Sequence, residues 1–148
     1  MRKLILSTFL GMALFSCKTY SEDDKKQFDL QIQEFLKEEN ISCERSSSGL
    51  YFKILDEGEG DNIRYSDIVS FTYRGTLLNG KVFDEQKDPV EFEVRQLIGA
   101  WKEIMLELKP GGKAYLVAPP HLGYGEHELD HIPKNSILVF ELEVKNVR

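Results

Sequence analysis

Three groups of residues in this 148-residue chain have types and spacings that could do chemistry. His127-Glu128-Leu129-Asp130-His131 is a literal H-E-x-x-H. On a helix its two histidines would ligate zinc and its glutamate would act as base. Gly125 precedes it and Pro133 follows, so fewer than about two helical turns fit between breakers. The segment therefore reads as a solvated loop, with no catalytic metal expected, and His121 adds only a chance surface ligand. The second candidate is Cys17, which closes an apolar run. The third is aromatic: Tyr73, Phe83, Trp101, Tyr124 and Phe140, with Asp84 directly after Phe83. Aromatic residues on sheet and helix faces are ordinarily core. A lone tryptophan at the start of a short helix, with an acid after an apolar strand, also fits a lined cavity. A Ser/His/Asp signature, a phosphate-binding glycine loop and cysteine pairs at metal spacing are absent. Gly58-Glu59-Gly60 reads as a turn.

The elements that must position these residues follow from periodicity. From Gly49 onward the apolar period is 2. Leu50, Phe52 and Ile54 share one strand face, as do Val69, Phe71, Tyr73, Gly75 and Leu77. Val90, Phe92 and Val94 form another, Ala114, Leu116 and Ala118 a fourth, and Phe140, Leu142 and Val144 the last. Asn79-Gly80 between apolar runs predicts a hairpin with a type I′ turn. One stretch breaks this rhythm: Trp101, Ile104, Met105 and Leu108 lie at i, i+3, i+4 and i+7, a short amphipathic helix stopped by Lys109-Pro110-Gly111-Gly112. A sheet with one apolar face and a helix with one apolar stripe bury each other when the sheet curls around the helix, giving an α+β domain.

Ahead of this domain, Ser21 to Asn40 predicts a helix. Ser21-Glu22-Asp23-Asp24 is a capping signal, and Phe28, Ile32, Phe35 and Leu36 make one stripe. Asn40 suits a left-handed cap, with Ile41 folding back on Leu36. The stripe is expected to pack on the following domain, with a helix-mediated dimer as the alternative. Ser46-Ser47-Ser48-Gly49 reads as a short linker.

Arg2 and Lys3 followed by the run Leu4–Phe15 match a secretory leader, too short to span a bilayer. Its end, Leu14-Phe15-Ser16-Cys17, resembles a bacterial lipobox. The expected organisation is a signal peptide over 1–16, a lipid-anchored tether with the N-terminal helix over 17–48, and a folded domain over 49–148. Cys43 is then left without an intramolecular partner and reads as a small, partly buried residue. Composition agrees with a soluble single domain: 41% hydrophobic, 30% charged, net charge −6. No Lys/Arg run forms a basic stripe, so nucleic acid is not an expected partner.

Several stretches, taken in order, resemble the FK506-binding-protein type of peptidyl-prolyl cis-trans isomerase. They are Phe71-Thr72-Tyr73-Arg74-Gly75-Thr76-Leu77, Asn79-Gly80-Lys81-Val82-Phe83-Asp84, Leu97-Ile98-Gly99-Ala100-Trp101, Leu108-Lys109-Pro110-Gly111-Gly112-Lys113, Pro119-Pro120-His121-Leu122-Gly123-Tyr124-Gly125 and Ile132-Pro133-Lys134-Asn135-Ser136-Ile137-Leu138-Val139-Phe140. The resemblance implies a five- or six-stranded antiparallel half-barrel sheet wrapped around one short helix, here with an extra N-terminal helix. It implies a pocket lined by Tyr73, Phe83, Asp84, Leu97, Ile98, Trp101, Tyr124, Ile132 and Phe140. Trp101 would be the floor, the Ile98 N–H would hold a substrate carbonyl, and the Tyr124 hydroxyl would bond the ligand. Asp84 would act by position and charge beside Tyr73. Tyr73, Asp84 and Tyr124 are thus the residues to which catalysis is assigned. Gly99-Ala100 stands where the family often has Pro-Gly, and Val90 where it has an aromatic.

The implied activity is isomerisation of X–Pro bonds in exported proteins. It needs no cofactor, takes proline-containing polypeptides as substrates and accepts macrolide-type inhibitors. The implied place is the bacterial cell envelope, membrane-anchored at Cys17, with the domain outside the cytoplasm. The alternative is a non-catalytic adaptor that uses the same apolar pocket in an envelope or secretion assembly.

Overall fold

Ser21 starts the first helix, α1 (Glu22–Glu38), in a computed structural model that describes residues 20–148. The Ser21 side chain accepts from the Asp24 N–H and the Asp24 carboxylate accepts from the Ser21 N–H, a complete capping box. Three acids in the first turn suit the positive end of the helix dipole. At the other end Asn40 sits at φ 54°, the Asn40 N–H donates to the Lys37 carbonyl, and the Ile41 N–H reaches back to the Leu36 carbonyl at 2.9 Å. That pair of bonds is a Schellman closure.

Six strands follow: β1 (Glu44–Arg45), β2 (Tyr51–Asp56), β3 (Ile68–Leu77), β4 (Val82–Glu93), β5 (Lys113–Ala118) and β6 (Leu138–Val147). They form one sheet in the order β1-β2-β5-β6-β3-β4, with every neighbouring pair antiparallel. The second helix, α2 (Gly99–Met105), lies between β4 and β5 in sequence. Trp101, Ile104, Met105 and Leu108 are all buried in one cluster with Val69, Phe71, Leu116 and Phe140 of the sheet. The α+β arrangement read from the two periodicities is the one present.

The sheet has a second apolar patch on its opposite face. Ile32 and Leu36 of α1 are buried against Tyr51, Val117, Ile137 and Val139, with Phe28, Phe35 and Ile41 around them. The stripe therefore finds its partner within the same chain. Asp29 fastens the helix at the side: it accepts from the Arg45 guanidinium at 2.6 Å and from the Tyr51 hydroxyl at 3.0 Å. The outer face of the remaining strands is charged, with Lys145 and Lys113 on Glu143 and Arg74 and Lys87 on Glu85.

Four details depart from the sequence reading. The 46–49 segment is the closing turn of the β1–β2 hairpin, with Ser46 N–H to Leu50 O and Gly49 N–H to Ser46 O, so it welds α1 to the domain instead of linking it loosely. The Asn79-Gly80 hairpin is not type I′. Only Gly80 has positive φ (81°), Gly80 N–H bonds Leu77 O, and the Asn79 side chain accepts from the Lys81 N–H at 3.0 Å. That side-chain bond stabilises Asn79 in an ordinary conformation and leaves glycine the single left-handed position. Phe92 is 46% exposed, although it shares the apolar face of Val90 in the alternation. Val94 has left the strand for a 3-10 turn over Val94–Gln96, where it is fully buried.

Candidate functional site

Trp101 owes its position to the first turn of α2, which begins with no side-chain cap at Ile98. Its ring is 7% exposed and lies among three others at steep angles: Tyr73 at 4.7 Å, Phe140 at 5.0 Å and Phe71 at 5.2 Å between centroids. Edge-to-face contacts at these separations contribute roughly 0.5–1.5 kcal/mol each beyond burial. Phe83 continues the set, edge-on to Phe140 at 5.7 Å. The indole Nε1 is buried without a partner among the described residues, so a donor has been left unsatisfied at the floor of the cluster.

Phe83 and Asp84 are consecutive in β4 and in a regular strand would point to opposite faces. The register shows why they do not. Gly75 pairs with Asp84, but Thr76 pairs with Val82, which leaves Phe83 as the extra residue of a β-bulge. Phe83 packs on Phe140 while Asp84 accepts a 2.5 Å hydrogen bond from the Tyr73 hydroxyl. Gly75 makes the room: a Cβ there would lie 2.5 Å from Phe83 Cζ and 3.0 Å from Phe140 Cε1. Gly75 stood in the sequence only as a member of a strand face, and its role follows from this close approach.

Tyr124 comes from the turn after β5 and is half-buried at the edge of the cluster. Burial first, then the Asp84 carboxylate, raise its pKa above the usual phenol value. Tyr73 is raised further, by burial and then by its bond to Asp84. Both hydroxyls are therefore protonated at neutral pH and can donate. Leu97 and Ile132 are buried in the same cluster and Ile98 packs against it. The Ile98 N–H has no hydrogen-bond partner among the described residues. The structure thus places in or at the edge of one cluster all nine residues that the resemblance implies. The family aromatic replaced by Val90 leaves a smaller side chain, which packs partly buried against the same cluster.

The H-E-x-x-H segment is not helical. Leu129 and Ile132 close a tight turn by exchanging backbone hydrogen bonds, with His131 at φ 70°. His127 and His131 are exposed, whereas His121 Nε2 donates to the Ser48 carbonyl at 2.8 Å. Among the described residues no group of three or more His, Cys, Asp or Glu side chains could hold a metal ion. A cavity of about 480 Å³ lies elsewhere, between α1 and the 46–49 turn. Its charges are largely spent on each other, Lys25 on Glu22 at 2.7 Å and Arg45 on Asp29 at 2.6 Å. Cys43 is half-buried, and desolvation pushes its thiol pKa up. Cys17 and the apolar run before it lie outside the described residues, and among those described no helix is long and apolar enough to cross a membrane.

Comparison with known proteins places this geometry. The family described as FKBP-type peptidyl-prolyl cis-trans isomerase matches residues 60–145. A Haemophilus influenzae protein named "Probable FKBP-type peptidyl-prolyl cis-trans isomerase" is 40% identical over 134 residues, which is 88% of this chain and 55% of that protein. The FKBP-type isomerase FkpA of Escherichia coli strain K12 is 38% identical over 119 residues, 78% of this chain and 43% of its own length. The crystal structure of FkpA from Escherichia coli superposes with a TM-score of 0.74 at 36% identity, covering 85% of this chain and 60% of that one. The chain thus spans about half the length of the curated relatives it matches. With the matched residues covering β3, β4, β5, most of β6, α2 and the aromatic cluster, this chain belongs to the FKBP-type peptidyl-prolyl cis-trans isomerase family.

Proposed function

We propose that this chain is an enzyme that accelerates cis–trans rotation about X–Pro bonds. The observation that carries the reading is the Trp101-floored aromatic cluster with Tyr73, Asp84 and Tyr124 at its edge. Rotation about a peptide bond needs no nucleophile. Its barrier, about 18–20 kcal/mol, is the loss of amide resonance. At X–Pro both isomers are populated and exchange in tens to hundreds of seconds. A planar amide is more dipolar than a twisted one, so apolar rings around the prolyl side destabilise the ground state relative to the twisted state. Donors aimed at the rotated carbonyl add binding that exists only in the transition state. The uncommitted Ile98 N–H and the Tyr124 hydroxyl are the donors, and Tyr73 is held in place by Asp84. No proton is transferred and no cofactor takes part.

The substrates in this reading are proline-containing segments of exported polypeptides, with macrolide-type compounds as competitors for the pocket. Residues 1–16 are a signal peptide, Cys17 carries lipid, and the folded part faces away from the cytoplasm in the cell envelope. Stable anchoring then needs at least two acyl chains, since one is marginal. Only Lys18 and Thr19 separate Cys17 from Tyr20, where the described fold begins, so the domain is held close to the membrane and the 17–48 segment supplies little reach. In detergent partitioning the wild type enters the detergent phase and Cys17→Ser does not; both in the aqueous phase contradicts the anchor.

The site assignment is tested with Asp84→Leu and Tyr124→Phe, measuring kcat/KM on a short X–Pro peptide and affinity for a macrolide. Tyr124→Phe removes one hydrogen bond, about 0.5–1.5 kcal/mol, and lowers kcat/KM several-fold. Asp84→Leu costs more, because it orphans the Tyr73 hydroxyl as well. Full activity and affinity in both folded variants would place the site elsewhere. Tight binding without catalysis in the wild type would turn the reading to an adaptor.

A further inference from the structure

We propose that Tyr20 is a positioning residue for the substrate pocket, holding through Asn135 the turn that presents Tyr124. This inference rests on the isomerase reading above. Tyr20 precedes α1, and its hydroxyl donates to Asn135 Oδ1 at 2.6 Å across 115 residues of sequence. The Asn135 N–H donates to the Gly125 carbonyl at 2.8 Å, and the Gly125 N–H to the Pro120 carbonyl at 2.9 Å. Gly125 is the residue directly after Tyr124. These bonds make one continuous path from the N-terminal segment to the backbone that carries the Tyr124 phenol.

The path is needed because the loop that follows Tyr124 is thinly anchored. Asn135 sits at φ 57° and Gly125 at φ 59°, the left-handed region that asparagine and glycine suit, so the turn adopts its shape without strain and the bonds between them fix its position. Residues 126–131 are all exposed, and the hydrogen bonds between Leu129 and Ile132 are internal to the loop. Tyr20 brings an attachment from outside the loop. Its own ring is fixed, edge-on to Phe28 of α1 at 5.4 Å. Phe28 belongs to the layer buried on the back of the sheet. The Tyr20 hydroxyl remains a donor, since burial and the Glu126 and Asp24 carboxylates raise its pKa. A second tie runs parallel to the first: His121, in the same turn, is bonded to the Ser48 carbonyl at 2.8 Å, and the Ser48 hydroxyl donates to Glu103 of α2, two residues from Trp101. The N-terminal segment is thus built into the support of the pocket.

The test uses Tyr20→Phe in the full chain, which keeps the ring and removes the hydroxyl. Loss of one such bond corresponds to roughly two- to tenfold, and kcat/KM on an X–Pro peptide is expected to fall by about threefold. In a Tyr124→Phe background the same substitution should cost nothing further, because its effect passes through the Tyr124 hydroxyl. Amide exchange over residues 123–136 should quicken in Tyr20→Phe while β3 and β4 exchange at the wild-type rate. Wild-type kcat/KM in Tyr20→Phe, or a loss of equal size in the Tyr124→Phe background, would overturn the proposal, since a merely structural contact would not distinguish the two backgrounds. If the wild type shows no isomerase activity the proposed function falls instead. The exchange measurement still decides the clamp, and unchanged exchange over 123–136 rejects it.

Discussion

At Phe83 and Asp84 a single inserted residue decides what the site can do. The β-bulge opposite Gly75 and Thr76 turns two neighbours toward one cluster, one to complete an aromatic wall and one to hold the Tyr73 hydroxyl. The types of these residues were legible in the sequence, because an acid directly after an apolar strand start is unusual chemistry for a core. Their common direction was not, because alternation predicts opposite faces and nothing in the residue types marks the bulge. Gly75 was equally silent, since only the 2.5 Å approach of the Phe83 ring shows that a side chain has no room there. Gly75 has ordinary φ, so the expected effect of Gly75→Ala is purely one of space. It should lower stability by about 1–3 kcal/mol, as overpacking does, and shift the Phe83 ring off Phe140. Thermal unfolding together with a macrolide titration checks both parts; unchanged stability and affinity would mean that the ring moves aside without consequence.

The elements divide by how strongly periodic they are. The stripes of α1 and α2 and the alternation of β3 and β6 marked those elements, and the Ser21 capping box and the Asn40 closure lie where the residue types put them. The two-residue β1 left no period to read, and its serine-rich hairpin turn has the composition of a linker. The apolar runs Leu116-Val117-Ala118 and Leu138-Val139-Phe140 carried a signal that alternation alone overlooks. Continuous apolar runs mark strands buried on both faces, and Val117 and Val139 are the residues on which α1 sits. Ile32 is completely buried at that contact. Ile32→Ala should therefore cost about 2–5 kcal/mol in denaturant unfolding, as one cooperative transition with the sheet. A separate early transition for α1, or a cost near zero, would show that the helix is not part of the folding unit.

Across the whole molecule, one sheet carries a helix on each face. α2 packs on one side and bears Trp101 of the aromatic cluster; α1 covers part of the other side, and Tyr20 just before it is bonded to Asn135. Five tyrosines spread over both layers, Tyr20, Tyr51, Tyr73, Tyr115 and Tyr124, have raised pKa values, with burial the largest cause for each, and Tyr115 reaches about 12. A phenol raised in the folded state contributes stability that is complete below its unfolded value near 10 and is lost as pH rises through the folded value. Stability should hold from neutral pH to about pH 9 and fall progressively above about pH 10, the folded chain forming tyrosinate later than the unfolded one. Denaturant midpoints across that range test this, and a midpoint that rises with alkalinity would contradict it. Isomerase activity is tested most directly by the rate of cis-to-trans relaxation of a short X–Pro peptide with and without the folded chain. Relaxation that quickens in proportion to protein concentration, and returns to the spontaneous rate when a macrolide fills the pocket, is the expected result. Relaxation at the spontaneous rate in the presence of correctly folded protein would contradict it.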